Sequence, residues 1–285
     1  MASKTPFTTA HRIPPGSVDL TTYDPHGKPA FDDGKEEGAQ RLEEIADPLA
    51  DLQERLFARR AADTKRRVLL VLQGMDTSGK GGVIRHAVAL VDPQGVRITS
   101  FKAPTDEELD HHFLWRIRRA VPEPGYIGVF DRSHYEDVLI ARVRQLAPVE
   151  EIESRYDEIN SFEKQLVDQG VTIIKCMLHI SADEQKERLV ARLDDPTKHW
   201  KFNPGDIDER ELWKPYREAY EVALERTNTE HAPWHVIASD RKWYRNLAIA
   251  EILLETLTGM DLEWPDADFD VEAEKLRLLK EDPVT

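Results

Sequence analysis

The chain has 285 residues, of which 40% are hydrophobic and 33% charged, and its 54 acidic residues outnumber 39 basic ones to give a net charge of −15. That apolar content excludes wholesale disorder, and the acidic balance excludes a general nucleic-acid binder, which needs a basic footprint. A small polyanionic substrate stays compatible, because a local basic cleft can sit in an acidic shell.

Met1–Ala10 has no apolar signal-peptide core, and no run approaches the roughly 18 apolar residues of a membrane span, so a cytoplasmic protein without membrane partner is expected. Residues 1–40 mix Pro, Gly, Thr and charge without periodicity and read as an extended arm, ordered only if it packs on the body or on a neighbouring subunit. Leu42, Ile45, Leu49, Leu52 and Leu56 fall three or four apart and predict an amphipathic helix over 42–62. Short apolar or β-branched runs at 68–72, 96–101, 126–130, 171–178 and 234–238 predict strands. Helical patterns lie at 80–91, 106–120, 134–145, 148–169, 183–193, 211–229 and 241–258. Continuous apolar strands alternating with helices indicate an α/β fold with a parallel sheet covered on both faces. Residues 194–215 crowd Asp, Pro, Lys, Trp and Gly between two helices, as a lid does, and 266–285 read as a tail helix. Cys176, the one cysteine, lies in the apolar run 171–180 and reads as a buried thiol.

Gly74-Met-Asp-Thr-Ser-Gly-Lys80-Gly-Gly82 joins the first strand to a helix and matches the first seven positions of the phosphate-binding loop pattern. Gly74, Gly79, Gly81 and Gly82 let backbone amides approach phosphate oxygens, with Thr77 and Ser78 between them, and Lys80 brings a point charge. The eighth position departs from the pattern: Gly81 replaces the Ser or Thr whose hydroxyl touches Mg²⁺. Asp76 is the candidate replacement, since a carboxylate beside phosphates needs a bridging cation.

Asp131 ends another apolar strand, followed by Arg132, and reads as the second metal-binding carboxylate or as a cap for the next helix, a role Ser133 also suits. Lys102 follows a strand; Arg188, Arg192, Lys198 and Lys201 flank or populate the lid, where fixed cations stabilise charge on a transferring phosphoryl group. Arg118 and Arg119 read as surface residues. His111 and His112 point about 100° apart on a helix and make a poor metal pair. Trp200, Trp213, Trp234 and Trp243 read mostly as core.

Four segments, 74–82, 101–105, 130–137 and 192–201, resemble in sequence and order the second polyphosphate kinase family. The resemblance runs over about 40–265 and implies a three-layer α/β/α P-loop kinase-like sandwich with a helical lid at about 183–217, within a phosphotransferase domain of 41–265. It implies transfer from inorganic polyphosphate, held at Lys80, to a nucleoside mono- or diphosphate, purine preferred. Asp76, Lys80, Asp131 and Arg132 would be catalytic, and Asp76 and Asp131 would hold Mg²⁺ or Mn²⁺. Lys102, Arg192, Lys198 and Lys201 would bind phosphates, and Arg116, Tyr135 and Glu136 the nucleotide. A homo-oligomer, tetramer or dimer, is implied as well. Family members accepting both AMP and ADP commonly carry Asn where this chain has Asp131, which leaves the acceptor open. An ATP-dependent kinase of the same fold is the competing reading; Gly81 with Asp76 argues against it.

Overall fold

A computed structural model describes residues 5–61 and 65–281. Residues 1–4 of the expected arm, position 62 of the expected helix and residues 282–285 of the tail lie outside the described residues. Five strands, β1 (Arg67–Gln73), β2 (Val96–Ser100), β3 (Ile127–Asp131), β4 (Val171–His179) and β5 (Trp234–Ala238), form one sheet in the order β2-β3-β1-β4-β5. Every pairing is parallel. The chain leaves β1 toward β2 on one side and later returns to β4 on the other. The order therefore reverses between β3 and β1, where open α/β sheets place their ligands.

The helices before β1 are α1 (Phe7–His11), α2 (Lys35–Glu44) and α3 (Ala46–Ala58). Then follow α4 (Lys80–His86), α5 (Asp106–Leu109), α6 (Trp115–Ala120), α7 (Ile140–Val143), α8 (Val149–Asp168), α9 (Ala182–Asp194), α10 (Gly205–Glu211), α11 (Trp213–Thr227), α12 (Lys242–Thr258) and α13 (Val271–Leu278). Alternation along β1 sorts them into two outer layers. Val68, Leu70 and Leu72 pack in one core with residues of α2, α3, α4 and α12. Leu69 and Val71 pack in the other with residues of α6, α8 and α11. The expected three-layer α/β/α sandwich is the observed fold.

The first 40 residues are not simply extended. They contain α1 and the start of α2, and they bury Phe7, Ile13, Val18, Leu20 and Phe31. Glu255 of α12 accepts from the amides of Phe7 (2.7 Å) and Thr8 (2.8 Å), and Ile13 N–H donates to Trp234 O at 2.9 Å. These apolar residues follow no regular period, so spacing gave no sign of their burial. The helix expected over 42–62 is two helices meeting at Ile45, the first beginning at Lys35. Gly38 looks like a breaker in sequence, yet a Cβ there would stand 2.5 Å from the Trp243 ring, so the glycine admits α12.

Three other expected helices are broken. Residues 106–120 form α5 and α6 around a turn at His111–His112, with the Thr105 hydroxyl capping α5. Residues 134–145 form a 3-10 turn and α7, because His134 and Tyr135 turn into the core. Residues 80–91 form α4 and a 3-10 turn at Val88–Leu90, whereas the helix expected over 211–229 is α11. Trp234 is core as expected, but Trp200 is 78% exposed. Cys176 is fully buried, which pushes its thiol pKa up and removes it as a nucleophile. No described helix is long and apolar enough to cross a membrane.

His235 on β5 is buried, and this lowers its pKa from 6.5 to about 4. The fold holds the neutral imidazole, so this contribution is complete above pH 6.5 and lost as pH falls toward 4. Urea denaturation at pH 7 and pH 5 is expected to show about 2 kcal/mol more loss in the wild type than in His235→Asn. Equal losses would remove His235 as the cause.

Candidate functional site

The loop after β1 carries the first half of the site. Gly74 and Gly79 have φ of 152° and 109°, and Thr77 is held at φ 62°, a conformation that side chains other than glycine adopt at a cost. The turn leaves the amides of Asp76, Thr77, Gly79, Lys80 and Gly81 with no protein acceptor among the described residues. The Thr77 and Ser78 hydroxyl oxygens are buried and also lack a partner. Such a concave row of free donors binds an anion.

The loop carbonyls face the protein and are bound there. Lys80 Nζ donates to Gly74 O at 2.8 Å, and Gln185 Nε2 donates to Asp76 O at 3.0 Å. Arg188 donates to Thr77 O (2.8 Å) and Ser78 O (3.2 Å), and Arg245 donates to Ser78 O at 3.1 Å. Arg245 also explains two of the glycines: a Cβ would stand 1.8 Å from its guanidinium at Gly79 and 2.5 Å at Gly82. At Gly81 a Cβ meets nothing within 4 Å.

The second half comes from the end of β3, whose Asp131 pairs with Leu72 of β1. Ser133, not Asp131, caps the following turn, by accepting from Tyr135 N–H at 3.2 Å. That leaves the Asp131 carboxylate for another role; its Oδ2 lies 3.5 Å from Ser100 Oγ. Arg132 has φ 63° and donates to Asp76 Oδ1 at 3.1 Å, which joins the two halves. Burial and the Arg132 charge push the Lys80 pKa down, while Asp76, Asp131 and Glu136 act the other way. Lys80 thus sits within the field of all four groups.

Gly74, Asp76, Arg132 and Glu136, though neither Lys80 nor Asp131, border a cleft of about 260 Å³ under the 194–215 segment. Asn203, Asp206, Glu209 and Trp213 roof it, and Asp76, Arg132 and Glu136 form its base. Four carboxylates around one guanidinium would repel a bare phosphate. They suit phosphates that arrive with a divalent cation. Asp76 and Asp131 supply hard oxygen donors. No group of three or more metal-ligating side chains occurs among the described residues. Two carboxylates completed by phosphate oxygens and water fit a small hard cation of the Mg²⁺ type, which rarely takes an all-protein cage.

Other sequence-singled residues lie elsewhere. Tyr135 has no exposed surface; its hydroxyl donates to Glu163 (2.7 Å) and accepts from Lys175 (2.9 Å), so it cannot touch a nucleotide in this arrangement. Arg116 is buried between Lys102 O, Glu108 and Asp137 and borders a separate cleft of about 320 Å³. Lys102 is exposed just past β2. Within their own segment, Arg192 donates to Lys201 O (3.0 Å), Lys198 pairs with Asp195 (2.6 Å) and Lys201 lies over the Trp200 ring. None of these three borders the 260 Å³ cleft.

Sequence reasoning missed Arg245, Gln185 and Tyr220. Arg245 had a legible sign: with Asn246 and Glu251 it interrupts the otherwise apolar run 243–254 of α12. Gln185 and Tyr220 carry no local sign, because only the fold brings them to the loop.

Residues 33–265 match the sequence model of polyphosphate kinase 2. The chain belongs to the polyphosphate kinase 2 family. It is 46% identical over 255 residues to the AMP/ADP-polyphosphate phosphotransferase of Meiothermus ruber, covering 90% of this chain and 94% of that protein. It is 40% identical over 248 residues to the ADP-polyphosphate phosphotransferase of Rhodopseudomonas palustris, covering 83% and 84%. The crystal structure of polyphosphate kinase 2 from Arthrobacter aurescens TC1 superposes with a TM-score of 0.95 at 50% identity, over 98% of each chain.

The loop geometry separates neighbouring glycines. Gly82→Ala drives a methyl group into the buried Arg245 and is expected to cost about 1–3 kcal/mol in chemical denaturation. Gly81→Ala meets open space and is expected to change stability by less than about 0.5 kcal/mol. Equal effects at the two positions would contradict the packing described.

Proposed function

We propose that this chain transfers a phosphoryl group from inorganic polyphosphate to a nucleoside mono- or diphosphate. The observation that carries the reading is the joining of Asp76, Lys80, Asp131 and Arg132 at one strand crevice beside a loop of free amides. The names of the Meiothermus and Rhodopseudomonas relatives support the donor and the acceptor class.

The loop amides and Lys80 hold the phosphoryl group to be transferred. Arg132 reaches the same space from β3 and neutralises charge on its oxygens. Asp76 and Asp131 would hold Mg²⁺, or Mn²⁺ in its place, and a bound cation would offset charge on donor and acceptor phosphates. Glu136 and the roof of the cleft exclude water and orient the acceptor. The 183–217 segment is the lid; its cations Arg192, Lys198 and Lys201 serve the phosphates when it closes further, as does Lys102. The Asp131 carboxylate repels an acceptor phosphate lacking a cation and so biases the choice between AMP and ADP. The protein is taken as a cytoplasmic homo-oligomer, a dimer or tetramer. The exposed Phe269, Val271, Leu276 and Leu278 of the tail support an assembly.

Purified protein with Mg²⁺ and long-chain polyphosphate is incubated separately with AMP and ADP, and products are resolved by chromatography. Polyphosphate-dependent ADP or ATP is the expected result; ATP consumption without any use of polyphosphate would favour an ordinary ATP-dependent kinase. In the same assay Lys80→Ala is expected to lower turnover at least a hundredfold with little change in Tm. Asp131→Asn is expected to shift the AMP:ADP ratio of kcat/KM, and an unchanged ratio would remove Asp131 from acceptor choice.

A further inference from the structure

Beneath the phosphate loop lies a charge that the proposed chemistry has not used. Arg245 projects from α12 and is only 3% exposed. Its partners are all neutral: Ser78 O at 3.1 Å, and Asn246 Oδ1 at 3.3 Å from Nε and 2.9 Å from Nη2. A second buried guanidinium, Arg188, converges on the same Ser78 carbonyl at 3.2 Å. Glu184 is the acid felt at this pair, and it is committed to Arg188 at 2.7 Å. Two buried cations therefore share one carboxylate, and one positive charge is left over.

An uncompensated buried charge is unfavourable, and well-packed apolar residues usually serve stability better. Burial, with Arg188 adding to it, lowers the Arg245 pKa to about 9. The surplus is not diffuse. The Arg245 guanidinium abuts the backbone of Gly79 and Gly82, and the loop's free amides lie on this same short turn. The cation and the free amides thus share one short turn of backbone. An anion there is close enough to act as the missing counter-charge through a medium of low dielectric.

We infer that Arg245 is a positioning residue of the phosphate site: it attracts the bound phosphates through the loop without touching them, and the substrate supplies the counterion that the protein omits. The inference rests on the phosphate reading of the loop. It explains why a large cation takes a place that obliges two loop positions to be glycine. It also makes the empty site less stable than a neutral replacement would.

The test uses the full chain and tripolyphosphate as probe, with affinity read by calorimetry, Tm measured without ligand, and steady-state kinetics. Arg245→Met removes the charge and keeps the length. It is expected to weaken tripolyphosphate binding at least tenfold and raise KM for polyphosphate similarly. KM for the nucleotide is expected to stay within about twofold, and the unliganded Tm to stay equal or rise. Arg245→Lys is expected to restore affinity to within about threefold of wild type. Glu184→Gln removes the shared acid, raises the surplus, and is expected to tighten tripolyphosphate binding about threefold while lowering the unliganded Tm. Wild-type affinity in Arg245→Met overturns the inference. So does weaker or unchanged binding in Glu184→Gln, even if the methionine variant does not fold. Failure of the wild type itself to bind tripolyphosphate would overturn the phosphate reading and this inference together.

Discussion

A loop that turns its amides outward toward an anion must turn its carbonyls inward, and buried carbonyls need donors. The arrangement around residues 74–82 follows from that requirement. Lys80 satisfies the first carbonyl, Gln185 the third, and Arg188 and Arg245 the next two. Those donors come from α4, α9 and α12, elements far apart in the chain, so the loop conformation is a property of the whole sandwich. Arg188 extends the same support to Ser239 O and Asp240 O after β5. One guanidinium thus holds together the exits of β1 and β5 and the helix α9.

A second buried polar cluster supports the other half of the site. Lys175 of β4 donates to Glu163 Oε2 (2.7 Å), Tyr135 Oη (2.9 Å) and Thr227 O (2.8 Å), and His134 Nε2 lies 3.2 Å from Glu163 Oε1. Buried pairs of this kind add little net stability, but removal of one partner leaves a bare charge and costs about 3–5 kcal/mol. Their effect is directional: His134 and Tyr135 are drawn inward, and Arg132 and Glu136 on either side are left facing the cleft. Gln73 completes the seam, since its amide spans Ser133 Oγ at 3.3 Å and Glu136 Oε1 at 3.0 Å.

The sheet was legible because its strands are short apolar or β-branched runs bounded by turn residues. The loop was legible because its glycines, lysine and flanks follow one local pattern. Asp76 stood out by the mismatch at Gly81. Tyr135 was misplaced because a residue next to functional neighbours shares their sequence context, whatever way its side chain turns. The 3-10 turn capped by Ser133 decided that direction, and such turns have no hydrophobic period. The burial of the N-terminal segment was not legible for a related reason: Phe7, Ile13, Leu20 and Phe31 fill separate gaps in two cores and belong to no single stripe. Arg245 and Gln185 act across 167 and 109 residues of chain, and contacts that distant leave no pattern in a local window.

The anchoring of the first residues also governs how the molecule comes to exist. The first strand made, β1, occupies the centre of the sheet, and both of its neighbours, β3 and β4, are made later. The segment before it depends on partners made later still: Ile13 bonds Trp234, and Phe7 and Thr8 bond Glu255. During synthesis this earlier segment therefore waits for partners more than 200 residues later, with Phe7, Ile13 and Leu20 uncovered in the interval. Contacts of such long sequence separation slow folding and expose apolar surface on the ribosome. The scarcity of apolar residues and the abundance of Pro, Gly and charge in this segment keep it soluble until α12 arrives to receive it.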